Sequence, residues 1–111
     1  VNISSINGQK GQFGQANYSA SKAGMHGFTK AVAQEVARKG VTVNTISPGY
    51  IDSPMINAVP EEIRENIRKD IPVQRFGKPS EIARTVAFLA DEEAGFITGA
   101  DLSVNGGQYM S

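Results

Sequence analysis

The sequence contains no cysteine, so disulfides and thiolate–zinc sites are excluded, and a reducing compartment suits it. Its single histidine leaves little for a metal site, and none is expected. Neither sign of charge dominates: eleven basic residues balance eleven acidic ones. No overall field therefore draws in nucleic acid or an anionic lipid surface. No apolar run approaches the roughly 20 residues that span a bilayer, and no signal peptide is visible. A membrane partner is accordingly not expected, and the expected location is cytoplasmic. Internal repeats and low-complexity segments are missing too. So is an initiating methionine: Val1 falls inside a strand-like run. We therefore expect the chain to be the C-terminal part of a longer protein.

What is present is ordinary for a folded α/β protein. Hydrophobic residues make up 40% and charged residues 20% of the 111 positions, enough apolar material for a core and too little charge for disorder. Val1 to Ser5 reads as a short buried strand, and Ile6 to Gln15, with three glycines and no helical period, as a loop. A long helix is expected from Ala16 or Asn17 to Arg38. Its core stripe reads as Ala20, Ala23, Gly27, Ala31, Gln34 and Ala37, widened by Phe28, Val32 and Val36. Gly40 stops it, and Glu35, Arg38 and Lys39 form a solvated end. Val41 to Ser47, rich in β-branched residues, reads as a strand closed by Pro48-Gly49. Asn44 within it needs backbone partners.

Tyr50 to Val59 resembles a lid with short helical turns. A helix follows from Pro60 to about Lys69, with Glu61 and Glu62 at its positive end. Ser80 reads as the cap of another helix with Ile82, Ala83, Val86, Ala87, Leu89 and Ala90 inward. A last strand lies near Asp101–Val104, and Asn105-Gly106-Gly107 turns out of it. Phe76 and Phe96 read as core or interface residues. Helices alternating with short apolar strands predict a doubly wound parallel sheet, covered on both faces, with ligands at the carboxyl ends of its strands. Ser5 and Pro48-Gly49 both fall at such ends, so they should face one crevice.

One constellation carries chemistry. Tyr18 and Lys22 lie four residues apart, one turn along the same helix face, and Ser5 lies thirteen residues before Tyr18. An ammonium beside a phenol favours the phenolate, and a hydroxyl can hold a carbonyl oxygen while it is protonated. His26, a turn beyond Lys22, reads as a packing or subunit-contact residue, because Tyr18 already fills the acid–base role.

The order Asn2-Ile3-Ser4-Ser5, Tyr18-x-x-x-Lys22, Val43-Asn44 through Ser47-Pro48-Gly49, Pro79-Ser80-Glu81-Ile82-Ala83 and Thr98-Gly99 through Asn105-Gly106-Gly107 resembles the short-chain dehydrogenase/reductases along the whole chain. The resemblance implies that Ser5 polarises the substrate carbonyl, Tyr18 donates the proton, and Lys22 acidifies Tyr18 and binds the nicotinamide ribose. Tyr18, Pro48, Gly49, Tyr50, Ile51 and Ser53 would line the cofactor together with Lys22. Ser53 stands where the family usually has threonine, and Pro54 after it departs from the usual pattern.

Within the family, Gly8 to Gln15, the segment Ala23 to Phe28, Tyr50 and the tail Gly106 to Met110 resemble the branch that reduces acetoacetyl-CoA in polyhydroxyalkanoate synthesis. That likeness implies an acyl-CoA substrate bound by Ser5, Gln12, Phe13, Gly14, Gln15, Gly49 and Tyr50, NADP(H) as cofactor, and a homotetramer at full length. The 3-oxoacyl-(acyl-carrier-protein) reductases share the same catalytic residues and are the alternative. A non-catalytic fragment or assembly module is another. The family's Thr-Gly-x-x-x-Gly-x-Gly phosphate loop is absent. Residues 1–111 are thus expected to be the catalytic and substrate-binding part of one Rossmann-type domain without its N-terminal cofactor-binding part, inactive in isolation.

Overall fold

In the computed structural model, residues 1–110 are described. Three parallel strands, β1 (Asn2–Ile3), β2 (Thr45–Pro48) and β3 (Asp101–Val104), form a sheet in the order β1-β2-β3. Between β1 and β2 run helices α1 (Ile6–Lys10) and α2 (Ala16–Val36), the latter ending in a 3₁₀ turn, Ala37–Lys39. Between β2 and β3 run α3 (Pro54–Asn57), α4 (Glu61–Lys69) and α5 (Pro79–Ala90), followed by a 3₁₀ turn, Glu92–Ala94. This is the α/β arrangement of three strands with flanking helices that the sequence predicts. No helix is long and apolar enough to cross a membrane among the described residues.

The centre of the sheet is fully buried. Thr45, Ile46 and Ser47 have no exposed surface, so both faces of β2 are covered. Thr45 Oγ1 donates to Thr29 Oγ1 of α2 at 2.8 Å, which places α2 on the Thr45 face, and α5 also packs against β2. β2 starts later than expected, and Val43 and the Asn44 side chain are claimed from the side. Val43 N–H donates to Thr98 Oγ1, the Val43 carbonyl accepts from Gly99, and Asn44 bonds Ile97 and Ala100 of the loop before β3. Asn44 thus finds its partners in backbone.

Two expectations are corrected. Ile6 to Lys10 is helical, not a loop. The Ser5 hydroxyl caps it by accepting the Asn7 N–H at 3.1 Å, buried Ile6 anchors it, and Gly11 (φ +73°) ends it. The second concerns α2 and the turn after it, whose expected core stripe of Ala20, Ala23, Gly27, Ala31, Gln34 and Ala37 faces outward. The inward stripe is instead Lys22, Met25, His26, Thr29, Ala33 and Val36. Its fully buried polar member has partners: Thr29 Oγ1 accepts from both Asn2 Nδ2 and Thr45 Oγ1 at 2.8 Å.

Smaller shifts occur elsewhere. α4 begins at Glu61 with Pro60 as its cap. α5 begins at Pro79 with Lys78 as its cap, so Ser80 lies inside the helix. Ile82, Val86 and Leu89 point inward as expected, whereas Ala83, Ala87 and Ala90 are exposed, and Phe96 stands fully in solvent. Phe76 is half-buried.

The start of α5 is held by charge. Glu81 accepts from the Lys78 N–H at 2.7 Å and from both terminal nitrogens of Arg75, at 2.8 and 3.0 Å. These bonds, Arg75 first, pull the Glu81 carboxyl down from 4.5 to about 2. A depressed carboxyl stabilises the fold above its unfolded value and loses that contribution as pH falls towards 2. The Tm advantage of wild type over Glu81→Gln should therefore be constant above pH 5 and vanish between about pH 4.5 and 2. A pH-independent difference would show that Glu81 acts through packing instead.

Candidate active site

The carboxyl ends of β1 and β2 open onto one cleft of about 420 Å³. Ser5 enters it from the end of β1, Tyr18 from the first turn of α2, Gly49 and Tyr50 from the end of β2, and Ile51 and Ser53 from the segment before α3. Gln15, immediately before α2, also lines it. Strand-end and helix-start geometry thus bring together residues up to 51 positions apart, from Ser5 to Ile56.

The hydroxyl groups are set for donation. Ser5 Oγ accepts the Asn7 N–H, which occupies a lone pair and leaves its own proton free to point at a ligand oxygen. Ser53 Oγ does the same as the cap of α3, accepting the Ile56 N–H at 3.3 Å. Pro54 follows at the first helical position, where its missing N–H is no loss, so this departure from the family pattern fits the local helix. The phenol of Tyr18 is part-exposed (43%), available to a bound molecule.

Lys22 stands behind the phenol. Its Nζ lies 5.6 Å from the centroid of the Tyr18 ring, within cation–π range, and 3.5 Å from the Ile3 carbonyl. The turn carrying it is pinned from below. Ser4 Oγ donates to the Lys22 carbonyl at 2.9 Å, and Gly8 lets α1 come against the Lys22 backbone.

Glycines shape the other wall. A Cβ on Gly49 would lie 2.8 Å from Asn105 Cβ, so only glycine lets the end of β2 pass the turn after β3. That turn is tied by Asn105, which accepts from Gly107 N–H and donates to the Tyr109 carbonyl, each at 2.9 Å. The Asn105-Gly106-Gly107 motif therefore supports the crevice rather than lining it.

The residues singled out by sequence divide clearly. Ser5, Gln15, Tyr18, Gly49, Tyr50, Ile51 and Ser53 line the cleft; Lys22 and Pro48 stand behind it. Gln12, Phe13 and Gly14 are exposed on the loop leading to Gln15 and outside the lining, with Phe13 fully in solvent. Two features were missed. Asn7 lines the cleft and donates to Gln15 Oε1 at 3.2 Å, and Met55 with Ile56 of α3 adds an apolar wall. The serine cap at Ser5 was the available sign that Asn7 sits on a helix.

A match of residues 1–109 to the family model described as enoyl-(acyl carrier protein) reductase decides the family. The chain belongs to the short-chain dehydrogenase/reductases. As a member it is similar to the acetoacetyl-CoA reductases of Shinella zoogloeoides (66% identity over 99% of this chain and 46% of that protein) and Cupriavidus necator (63% over 99% and 45%). It is also similar to the 3-oxoacyl-(acyl-carrier-protein) reductase of Vibrio cholerae (53% over 99% and 45%). The chain spans about half the length of the curated relatives it matches. Short-chain reductases of this family work with a nicotinamide cofactor. The cleft's donor set fits a nicotinamide riboside: the free proton of Ser53, the Lys22 ammonium beside Tyr18, and the apolar side chains of Ile51 and Ile56.

Proposed function

We propose that this chain is the C-terminal catalytic part of an NADPH-dependent reductase that converts acetoacetyl-CoA to (R)-3-hydroxybutyryl-CoA for polyhydroxyalkanoate synthesis. The observation that carries this reading is the meeting of Ser5, Tyr18 and Tyr50 in one cleft with Lys22 behind the phenol. The names and identities of the acetoacetyl-CoA reductases support the choice of substrate. The working enzyme is a cytoplasmic homotetramer of the full-length protein, and the 111-residue chain alone is inactive.

The reduced nicotinamide, when bound, supplies a hydride to the carbonyl carbon at C3 of the substrate. Every other task falls to residues of this chain. Ser5 donates its free proton in a hydrogen bond to the carbonyl oxygen and so draws the negative charge that develops there. Tyr18 transfers its phenolic proton to that oxygen, completing the alcohol. The Lys22 ammonium stabilises the phenolate left behind, and its position behind the ring leaves the cleft side open. Gly49, Tyr50, Ile51 and Ser53 would border the nicotinamide, with Pro48 supporting them from behind and Tyr50 also facing the acyl group. Gln15, oriented by Asn7, bonds the thioester end, and Gln12, Phe13 and Gly14 close over the pantetheine as it arrives.

The test compares acetoacetyl-CoA with acetoacetyl-carrier-protein on the full-length enzyme. The CoA thioester should have the higher kcat/KM. Tyr50→Ala should raise KM for acetoacetyl-CoA about tenfold, the equivalent of losing one well-packed apolar contact. A strong preference for the carrier-protein thioester would instead establish the 3-oxoacyl-(acyl-carrier-protein) reductase reading, which the Vibrio cholerae relative favours.

A further inference from the structure

A second polar chain lies beneath the active site and is separate from it. Ser4 Oγ is buried and meets two groups at the same distance: the Lys22 carbonyl at 2.9 Å and His26 Nε2 at 2.9 Å. On the other side of the imidazole, Nδ1 lies 3.4 Å from Asp101 Oδ2 of β3. Asp101 is itself fixed, accepting from Ser47 Oγ at 2.7 Å and from Gln9 Nε2 at 2.8 Å. Ser4 N–H meanwhile donates to the Ile46 carbonyl at 2.8 Å, so the serine backbone is locked to the central strand.

The hydroxyl of Ser4 has one proton, and two groups face it as acceptors or donors. When His26 Nε2 carries a proton it donates to Ser4 Oγ, and the serine proton must go to the Lys22 carbonyl. When Nε2 is bare, it competes with that carbonyl for the same proton. Since Ser4 adjoins Ser5, the Ser4–Lys22 bond fixes the spacing between the carbonyl-polarising serine and the turn that carries Lys22.

We propose that His26 is a positioning residue: it donates from Nε2 to Ser4 and thereby directs the Ser4 proton onto the Lys22 carbonyl, setting Lys22 against Tyr18, while the Asp101 carboxylate beside Nδ1 accepts from the ring only when both nitrogens carry a proton. The role rests on the reductase reading above, and it adds a function for a histidine outside the cleft. It also explains why a serine is buried next to the one that faces the substrate. Removing the hydroxyl leaves the Lys22 carbonyl and the imidazole without their shared partner.

The test uses Ser4→Ala, His26→Leu and His26→Gln in the full-length protein. Glutamine presents an amide that donates at the reach of Nε2, whereas leucine donates nothing. Ser4→Ala and His26→Leu should each lower kcat about fivefold to tenfold, the loss of one positioned hydrogen bond, with KM for the ketoacyl thioester unchanged. His26→Gln should stay within about twofold of wild type, because its amide restores the bond to Ser4.

Amide hydrogen exchange over residues 18–26 gives a readout that needs no turnover: it should speed up in Ser4→Ala and His26→Leu and not in His26→Gln. Unchanged kcat and exchange in the first two variants would overturn the proposal. So would a loss shared equally by His26→Gln, which would mark a packing role only. A wild-type protein without turnover on any ketoacyl thioester would refute the reductase reading instead, and the exchange pattern would still decide the place of His26.

Discussion

Replacing Tyr18 with phenylalanine should lower kcat for ketone reduction by about 10³-fold, within the range that a positioned general acid contributes. The same change should leave the fold almost untouched. The phenol is part-exposed, and the substitution removes one oxygen while keeping the ring over which Lys22 Nζ sits at 5.6 Å. Surface changes of that kind shift stability by within about 0.5 kcal/mol. The combination is diagnostic: a large loss of kcat, unchanged Tm, and KM within about twofold, because Tyr50 and Gln15, which line the same cleft, are left unchanged. A full-length Tyr18→Phe enzyme retaining more than a tenth of wild-type kcat would assign the proton to another donor. The cleft-facing hydroxyl of Ser5 would then be the first to examine, since its own oxygen already accepts the Asn7 N–H and its proton is free.

The parts of this site legible in the sequence are those whose geometry follows from one element at a time. Tyr18 and Lys22 share a helix face whatever surrounds the helix, and Ser5 and Pro48-Gly49 mark strand ends by their own turn chemistry. The parallel sheet follows from the alternation of strands and helices. What was not legible depended on partners from distant segments. The inward face of α2 reads as polar, with Lys22, His26 and Thr29, because each polar group is matched by β1, β2 or β3. A period of small residues on the opposite face drew the core to the wrong side. Residues 41–44 have the composition of a strand, yet Val43 and the Asn44 side chain bond the 97–100 loop, and the Val41 N–H turns back to the Val36 carbonyl. Helix α1 was hidden by glycine content, although its capping serine and terminal Gly11 are both visible in the sequence. Gln12, Phe13 and Gly14 lie exposed on the loop between α1 and α2, outside the cleft lining.

Helix α1 links fold to chemistry, and Gly8 is where that link is tightest. Alanine at this position should lower Tm and reduce kcat together. By propensity alone alanine should help, since it is favoured over glycine by about 1 kcal/mol in a helix interior. The local space opposes this. An added Cβ would lie 2.7 Å from Lys22 Cβ, and 3.0 Å from both the Lys22 carbonyl carbon and Ser4 Oγ. None of these is the free end of a flexible side chain, so either α1 must lift or the Lys22 turn must move. Overpacking of this kind costs about 1–3 kcal/mol, which outweighs the propensity gain over most of that range. The activity effect should be larger than the stability effect implies. Displacing a catalytic group by about 1 Å can reduce turnover about 10²-fold, and the clash falls on the backbone that positions the Lys22 ammonium behind Tyr18. Full-length Gly8→Ala should therefore fold with a lowered Tm and about 1% of wild-type kcat, with Ser5 still capping α1. A raised Tm with full kcat would mean that α1 yields without moving Lys22, and that the approach of α1 to α2 does not set the active-site geometry.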